Sequence, residues 1–112
     1  MTTPKTGDRV AVVTGASAGI GEATAKTLAR HGFHVVCAAR RAEPITALAR
    51  EIGGTAIVTD VTDQESVDAL VEQVGKLGAP VSVLVNNAGG ARGLEPVAEA
   101  DIEHWRWMWE TN

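Results

Sequence analysis

Short runs of apolar and β-branched residues alternate with longer amphipathic stretches along most of this chain. Such runs are typical of strands that are buried on both faces, particularly where they end at glycine, aspartate or asparagine. The pattern therefore predicts four strands, which cover residues 9–15, 33–39, 55–60 and 81–87.

The stretches between these runs have the periodicity of helices that bury one face. The first predicted helix covers about residues 19–31. In the second, "EPITALAREI", apolar residues recur at i, i+3, i+4 and i+7, and two glycines follow as a stop signal. The third follows "TDQE" at 62–65, which has the pattern of a capping box with Thr62 as the N-cap residue. A further helix is predicted from Asp101 onward, after a loop rich in glycine and alanine.

Strands separated by helical crossovers predict a parallel sheet with right-handed connections and helices on both faces. Residues 1–112 are therefore expected to form one α/β domain, a doubly wound parallel sheet that stops after about four strands. In a sheet of this kind, ligands bind at the carboxyl ends of the strands. The functional residues are accordingly expected in the turns that follow the strands.

Composition narrows the classes of function. Ten basic and fourteen acidic residues give a net charge of −4, without a run of lysine or arginine, which argues against binding to nucleic acid or an anionic membrane. The longest apolar runs are far shorter than the about 20 residues of a membrane-spanning helix. The single cysteine, Cys37, cannot form an internal disulfide, which fits the reducing cytoplasm. The three histidines have no metal-ligand spacing, so no metal site is expected.

The strongest chemical signal is "TGASAGIG", residues 14–21, between the first strand and the first helix. Gly15 allows a sharp turn, Gly19 allows close backbone approach to a pyrophosphate, and Gly21 allows the helix to pack tightly on the sheet. The free N–H groups of the helix N-terminus would bind the phosphates. No GK[ST] follows, which excludes a nucleoside-triphosphate P-loop. The alternative is a glycine-rich turn that binds nothing.

The end of the second strand indicates which dinucleotide would bind. Folds that bind NAD carry an acidic residue there for the ribose hydroxyls, whereas this chain has Ala39, Arg40 and Arg41. Guanidinium groups bind a 2′-phosphate through charge-assisted hydrogen bonds, so NADP(H) is preferred over NAD(H). The alternative is that both arginines are solvated residues at the start of a helix.

Three motifs together resemble the short-chain dehydrogenase/reductase family. They are T-G-x-x-x-G-x-G after the first strand, Asp60-Val61 after the third, and "NNAG" at 86–89 after the fourth. The resemblance extends from Arg9 to Asn112, since the tryptophan seven residues before this asparagine also fits the family pattern. It implies a Rossmann-like fold and an NADP-dependent enzyme that interconverts an alcohol and a ketone or aldehyde.

The resemblance also implies a role for each matching residue. The adenine-side phosphates would lie on the glycine-rich turn, Arg40 would bind the 2′-phosphate with Arg41 as a second candidate, and Asp60 and Val61 would contact the adenine. Asn86 would stabilise the sheet. The phosphate-binding residues would be Gly15, Ser17, Gly19, Ile20 and Gly21, and the ribose and nicotinamide side would be lined by Asn87, Ala88 and Gly89.

Asn112 matches the asparagine that completes the Asn-Ser-Tyr-Lys catalytic group of the family, but this sequence contains no tyrosine. The 112-residue chain alone is therefore expected to be inactive, because protonation of the carbonyl oxygen needs a positioned acid. Two other hypotheses remain open: a stand-alone dinucleotide-binding or sensing module, and an interaction protein with a vestigial nucleotide site. Trp105, Trp107 and Trp109 fit either core packing or an interface, and the family commonly forms homo-oligomers.

Overall fold

The computed structural model describes Pro4 and residues 8–87, and the element bounds refer to this part of the chain. Strands and helices alternate in the predicted order, with ends shifted by no more than about two residues. The elements are β1 (Val10–Thr14), α1 (Gly19–Arg30), β2 (His34–Ala39), α2 (Ala42–Ile52), β3 (Thr55–Val58), α3 (Gln64–Gly75) and β4 (Val81–Asn86). Ala88, Gly89, Asn112 and the three tryptophans lie outside the described residues.

The four strands form one parallel sheet in the order β3-β2-β1-β4. β1 lies at the centre, where Val12 pairs with Val36 of β2 on one side and with Leu84 of β4 on the other. From β1 the chain therefore continues through β2 to β3 on one side of the sheet, and then returns past β1 to form β4 on the other side. This reversal confirms the predicted doubly wound, Rossmann-like sheet for the described part.

Each face of the sheet is covered by helices. Val13 and Cys37 point to the face covered by α1 and α2, where Ala25, Ile45 and Leu48 complete one apolar cluster. The residues that alternate with them along the strands point to the opposite face and pack against α3; that cluster consists of Val10, Val12, Val36, Ala38, Ile57, Val67, Leu70, Val74 and Leu84. Because β1 and β2 are buried on both faces, they are apolar at successive positions, except for Thr14 and His34 at their ends, and lack the alternation of a one-sided sheet.

The three helices are short, with 12, 11 and 12 residues in α1, α2 and α3. Within the part of the chain that the structure describes, no helix is long and apolar enough to cross a membrane. Lys26 of α1 lies 3.3 Å from a carboxylate oxygen of Glu22 and 3.5 Å from one of Glu51 on α2. These ion pairs are exposed, so packing rather than charge holds the two helices together.

The start of α3 differs from the predicted capping box. Asp63 is the N-cap residue, and its carboxylate accepts a hydrogen bond from the backbone N–H of Glu65 at 3.1 Å. The hydroxyl of Thr62 instead donates to Oδ1 of Asp60 at 2.6 Å. The prediction that Thr62 caps α3 was wrong because the helix begins at Gln64, one residue later than the motif predicts, so that Asp63 occupies the N-cap position.

His34 is the first residue of β2 and is only 5% exposed. Its Nε2 lies 2.8 Å from the hydroxyl oxygen of Thr55, the first residue of β3, so the two side chains join neighbouring strands. Burial disfavours the imidazolium and lowers the pKa of His34, although the carboxylate of Asp8 offsets part of this effect. In the folded state His34 is therefore neutral at physiological pH.

We expect this buried histidine to make the protein less stable in mild acid. The pKa of His34 is lower in the folded than in the unfolded state, so the unfolded state binds the proton first. The contribution of neutral His34 to the free energy of unfolding is complete above the ordinary histidine pKa of about 6.5. It is lost progressively as the pH falls below that value. The thermal unfolding midpoint, measured between about pH 8 and pH 5.5, should decline less in His34→Gln than in the wild type.

His31→Gln is the control for this experiment, because His31 is exposed at the end of α1. It should retain the full decline of the wild type. An equal decline in wild type and His34→Gln would contradict the assignment to His34.

Candidate functional site

The turn after β1 has the backbone conformation that its glycines predict. Gly15 and Gly19 have φ values of 65° and 61°, a region that other residues rarely adopt. α1 begins at Gly19, and its N-cap residue, Ala18, provides no side-chain hydrogen bond. The first N–H groups of α1 are thus left for solvent or for a ligand, which is the arrangement that binds phosphates.

Gly21 allows the first turn of α1 to lie directly on this bend. A Cβ atom at residue 21 would lie 2.1 Å from the carbonyl oxygen of Gly15 and 2.9 Å from Nδ2 of Asn87. These distances are shorter than any van der Waals contact, so only glycine fits. The close packing predicted for Gly21 is therefore present, and its nearest neighbour is the bend itself.

Thr14 joins the ends of β1 and β4. Its buried hydroxyl accepts a hydrogen bond from the backbone N–H of Asn87 at 2.9 Å, and lies 3.2 Å from Oδ1 of Asn86 and 3.3 Å from the carbonyl oxygen of Val85. The side-chain amide of Asn87 donates to the carbonyl oxygen of Gly15 at 3.3 Å. Both asparagines thus fix the carboxyl end of β4 against the glycine-rich turn. Sequence reasoning gave Thr14 no role beyond its place in the motif.

A cavity of about 180 Å³ opens between the carboxyl ends of β2 and β3. Four of the predicted site residues line it, together with two threonines that sequence reasoning missed, Thr59 and Thr62. The lining residues are Gly15, Ala38, Ala39, Arg40, Thr59, Asp60, Val61 and Thr62. The structure therefore brings the start of the phosphate turn, the arginine after β2 and the aspartate after β3 to one place.

The other predicted residues within the described part lie outside the cavity lining. Ser17 is half-buried in the turn, whereas Ile20 is 67% exposed in the first turn of α1, which is unusual for a large apolar side chain. Arg41 is the N-cap residue of α2 and makes no side-chain capping hydrogen bond. The residues concerned are Ser17, Gly19, Ile20, Gly21, Arg41 and Asn87. They border the glycine-rich turn or the start of α2.

Asp60 is the acidic residue of the cavity, and its carboxylate is favoured over the neutral acid. Hydrogen bonds from the hydroxyl and the backbone N–H of Thr62 lower the pKa of Asp60; partial burial opposes them, and the positive charge of Arg40 adds to the lowering. The cavity therefore holds one fixed negative charge and one exposed guanidinium. Within residues 8–87 no cluster of three or more side chains could hold a metal ion.

These features fit a dinucleotide. The uncapped start of α1 and the lack of a Cβ at residue 21 suit a diphosphate that lies against backbone. The cavity offers Asp60 as an acceptor for a base amino group, and Arg40 as a cation for a ribose phosphate. A purely structural turn would need neither charge.

Comparisons with known proteins identify the family of this chain. The family model for short chain dehydrogenases matches residues 9–112. The chain is 68% identical over its whole length to an uncharacterized oxidoreductase of Mycobacterium tuberculosis, of which it covers 43%. It is 36% identical over 105 residues to the NADP-dependent 3-hydroxy acid dehydrogenase of Salmonella typhi, with 92% of this chain and 42% of the relative covered. Among solved structures, the chain matches L-sorbose reductase from Gluconobacter frateurii, complexed with NADPH and L-sorbose, with a TM-score of 0.70 and 38% identity. The match covers 92% of this chain and 41% of that chain.

The chain belongs to the short-chain dehydrogenase family, whose members bind NAD(P)(H) on a Rossmann-like fold. The resemblance seen in the sequence motifs is thereby confirmed. The chain spans less than half the length of the relatives it matches.

The contact of Gly21 with Gly15 predicts a large cost for the smallest possible side chain. Gly21→Ala should lower the free energy of unfolding by about 2 kcal/mol or more, because the methyl group would overlap backbone that cannot rotate away. Urea unfolding measures this change. The matched control is Gly75→Ala at the end of α3, where a Cβ would meet nothing within 4 Å and φ is not positive. That variant should be neutral or stabilised by up to about 1 kcal/mol, and equal effects of the two substitutions would contradict the packing argument.

Proposed function

We propose that this chain forms the cofactor-binding part of an NADP(H)-dependent oxidoreductase that interconverts an alcohol and a ketone or aldehyde by hydride transfer. The observation that carries the proposal is the pairing of Arg40 with Asp60 in one cavity beside the uncapped start of α1. Together they offer a site for each part of a phosphorylated adenosine that is linked to a diphosphate.

In this proposal the diphosphate lies on the glycine-rich turn and the first turn of α1. Backbone N–H groups and the positive end of the helix dipole bind its oxygens, and the exposed Ile20 covers it from the solvent side. The residues assigned to this part are Gly15, Ser17, Gly19, Ile20 and Gly21.

Arg40 is assigned to the 2′-phosphate, with Arg41 beside it at the start of α2. The absence of a side-chain cap on α2 supports this assignment, because no capping side chain then competes with an anion for its first N–H groups. Asp60 and Val61 are assigned to the adenine. NADP(H) is preferred over NAD(H) because β2 is followed by a guanidinium in place of the carboxylate that would bind ribose hydroxyls.

The nicotinamide half is assigned to the end of β4. Asn87 already donates its side-chain amide to the carbonyl oxygen of Gly15, so it holds the two turns at a fixed separation. Ala88 and Gly89 are proposed to leave room for the ribose and nicotinamide, and Asn112 is proposed to order a water molecule for proton transfer. The bound cofactor supplies or accepts the hydride, and the chain orients it.

The names of the relatives support the cofactor and the reaction class. The Salmonella typhi protein is named as an NADP-dependent dehydrogenase of 3-hydroxy acids, and the Gluconobacter frateurii structure contains NADPH with L-sorbose. Both names refer to an alcohol or carbonyl group on a small molecule. A small-molecule substrate of this kind is therefore proposed here as well.

Arg40 tests the cofactor preference directly. Arg40→Asp should reduce the affinity for NADPH relative to NADH by at least about tenfold, because charge-assisted hydrogen bonds to the 2′-phosphate are lost and repulsion replaces them. Isothermal titration of the purified protein with each cofactor gives the ratio of dissociation constants.

Arg50→Asp is the matched control, since Arg50 is exposed in the last turn of α2, the helix that follows Arg40, and does not line the cavity. It carries the same change of charge and should leave the ratio unaltered. A ratio that stays constant in Arg40→Asp would refute the assignment of Arg40 to the 2′-phosphate.

The absence of tyrosine from the sequence gives a second test. We expect the 112-residue chain, if folded by circular dichroism, to bind NADPH without oxidising it in the presence of ketones, aldehydes or oxo acids. The family's proton donor is a tyrosine, and without a positioned acid the hydride acceptor is not activated. Turnover by these residues alone would overturn the proposal that they bind the cofactor without completing catalysis.

Cytoplasmic location and homo-oligomer formation are the remaining parts of the proposal. The cytoplasmic location rests on the single cysteine of the sequence, Cys37, which cannot form an internal disulfide. Burial raises the pKa of its thiol to about 11. The thiol is therefore protonated and unreactive. The proposal of a homo-oligomer is based on the tryptophan-rich segment and on the resemblance to a family that commonly forms homo-oligomers.

A further inference from the structure

Four hydrogen bonds to the segment that follows hold Asp60 in place. The hydroxyl and the backbone N–H of Thr62 donate to its Oδ1 at 2.6 Å and 2.9 Å. Its own N–H donates to the hydroxyl oxygen of Ser66 at 2.8 Å, and its carbonyl oxygen accepts from the N–H of Asp63 at 3.0 Å. Both the backbone and the carboxyl group of Asp60 are thus fixed before any ligand binds.

The two oxygens of the Asp60 carboxylate are used differently. Thr62 provides both hydrogen bonds to Oδ1, whereas no residue in the described part of the chain donates to Oδ2. An ionised carboxylate has acceptor sites on both oxygens, so one oxygen remains for an outside donor. Thr62 itself is exposed and lines the same cavity, so its hydroxyl is not needed to fill the core.

We propose that Thr62 is a positioning residue for base recognition: it holds Oδ1 of Asp60 so that Oδ2 can accept a hydrogen bond from the exocyclic amino group of adenine. This inference rests on the proposed function, because it assumes that an adenine dinucleotide occupies the cavity. It assigns to Thr62 a role in the selection of the base, beyond its contact with the loop.

A role in selectivity differs from a role in folding in what it changes. If Thr62 only stabilised the loop, its loss would weaken every dinucleotide equally. If it orients Asp60, its loss should weaken ligands that carry an amino group at the base and spare those that do not. Hypoxanthine is the suitable probe, because a carbonyl oxygen replaces the amino group of adenine and cannot donate to a carboxylate.

The experiment compares NADPH with its hypoxanthine analogue, deamino-NADPH, by isothermal titration of the purified protein. The wild type should prefer NADPH. Thr62→Val keeps the backbone N–H and the side-chain shape but removes the hydroxyl, and it should reduce this preference by about three- to tenfold, the usual effect of one hydrogen bond. Thr62→Ser retains the hydroxyl and should therefore keep the preference of the wild type for NADPH.

Thr46→Val on α2 is the matched control, because Thr46 is exposed and lies outside the cavity lining. It should leave the preference unchanged. Thermal unfolding establishes that each variant is folded, and Thr62→Ala replaces Thr62→Val if the latter is not. An unchanged preference in folded Thr62→Val, or an equal loss of affinity for both ligands, would overturn the inference.

Failure of the proposed function has a different signature. A folded wild type that binds neither dinucleotide would refute the proposed function and this inference together. A wild type that binds both ligands equally would leave dinucleotide binding in place, and would refute only base recognition by Asp60 and with it the role of Thr62.

Discussion

The carbonyl group of Gly15 is the contact on which the candidate site depends. A side chain at residue 21 would collide with its oxygen, and the same oxygen accepts a hydrogen bond from Asn87. One backbone group therefore fixes the start of α1 and the end of β4 against the end of β1. Because this junction is made largely of backbone, it leaves room and uncapped N–H groups where the three elements meet, and Thr14 strengthens it with a buried hydroxyl.

The way in which the helices begin gives the site its electrostatic character. α3 satisfies its first turn with the carboxylate of Asp63, whereas α1 and α2 have no side-chain cap within the described residues. The two uncapped helices follow β1 and β2, and their N-termini carry positive partial charge. With Arg40 beside α2 and Asp60 also lining the cavity, the site has positive charge on one side and a hydrogen-bond acceptor on the other.

Much of the precision of this site comes from short polar side chains that bond to neighbouring turns. Thr14 acts between strands that are distant in sequence, and Ser66 acts on the N–H of Asp60 six residues before it. Such bonds are directional, so they orient groups that apolar packing alone would leave free to rotate. The apolar layers on both faces of the sheet provide the rigid frame on which this orientation depends.

The sequence by itself determined the order of the elements, the two-sided sheet, the family and four of the eight residues that line the cavity. Strands buried on both faces must be continuously apolar, and helices buried on one face must repeat every three to four residues, so both are visible as periodicity. Only the tertiary structure decided which of these residues meet. The bond between Thr14 and Asn87 spans 73 positions, and the N-cap of α3 is Asp63 in place of Thr62 because the helix begins at Gln64. Neither has a periodic signal, because side-chain direction within a turn is set by local geometry and by partners that the chain brings together only on folding.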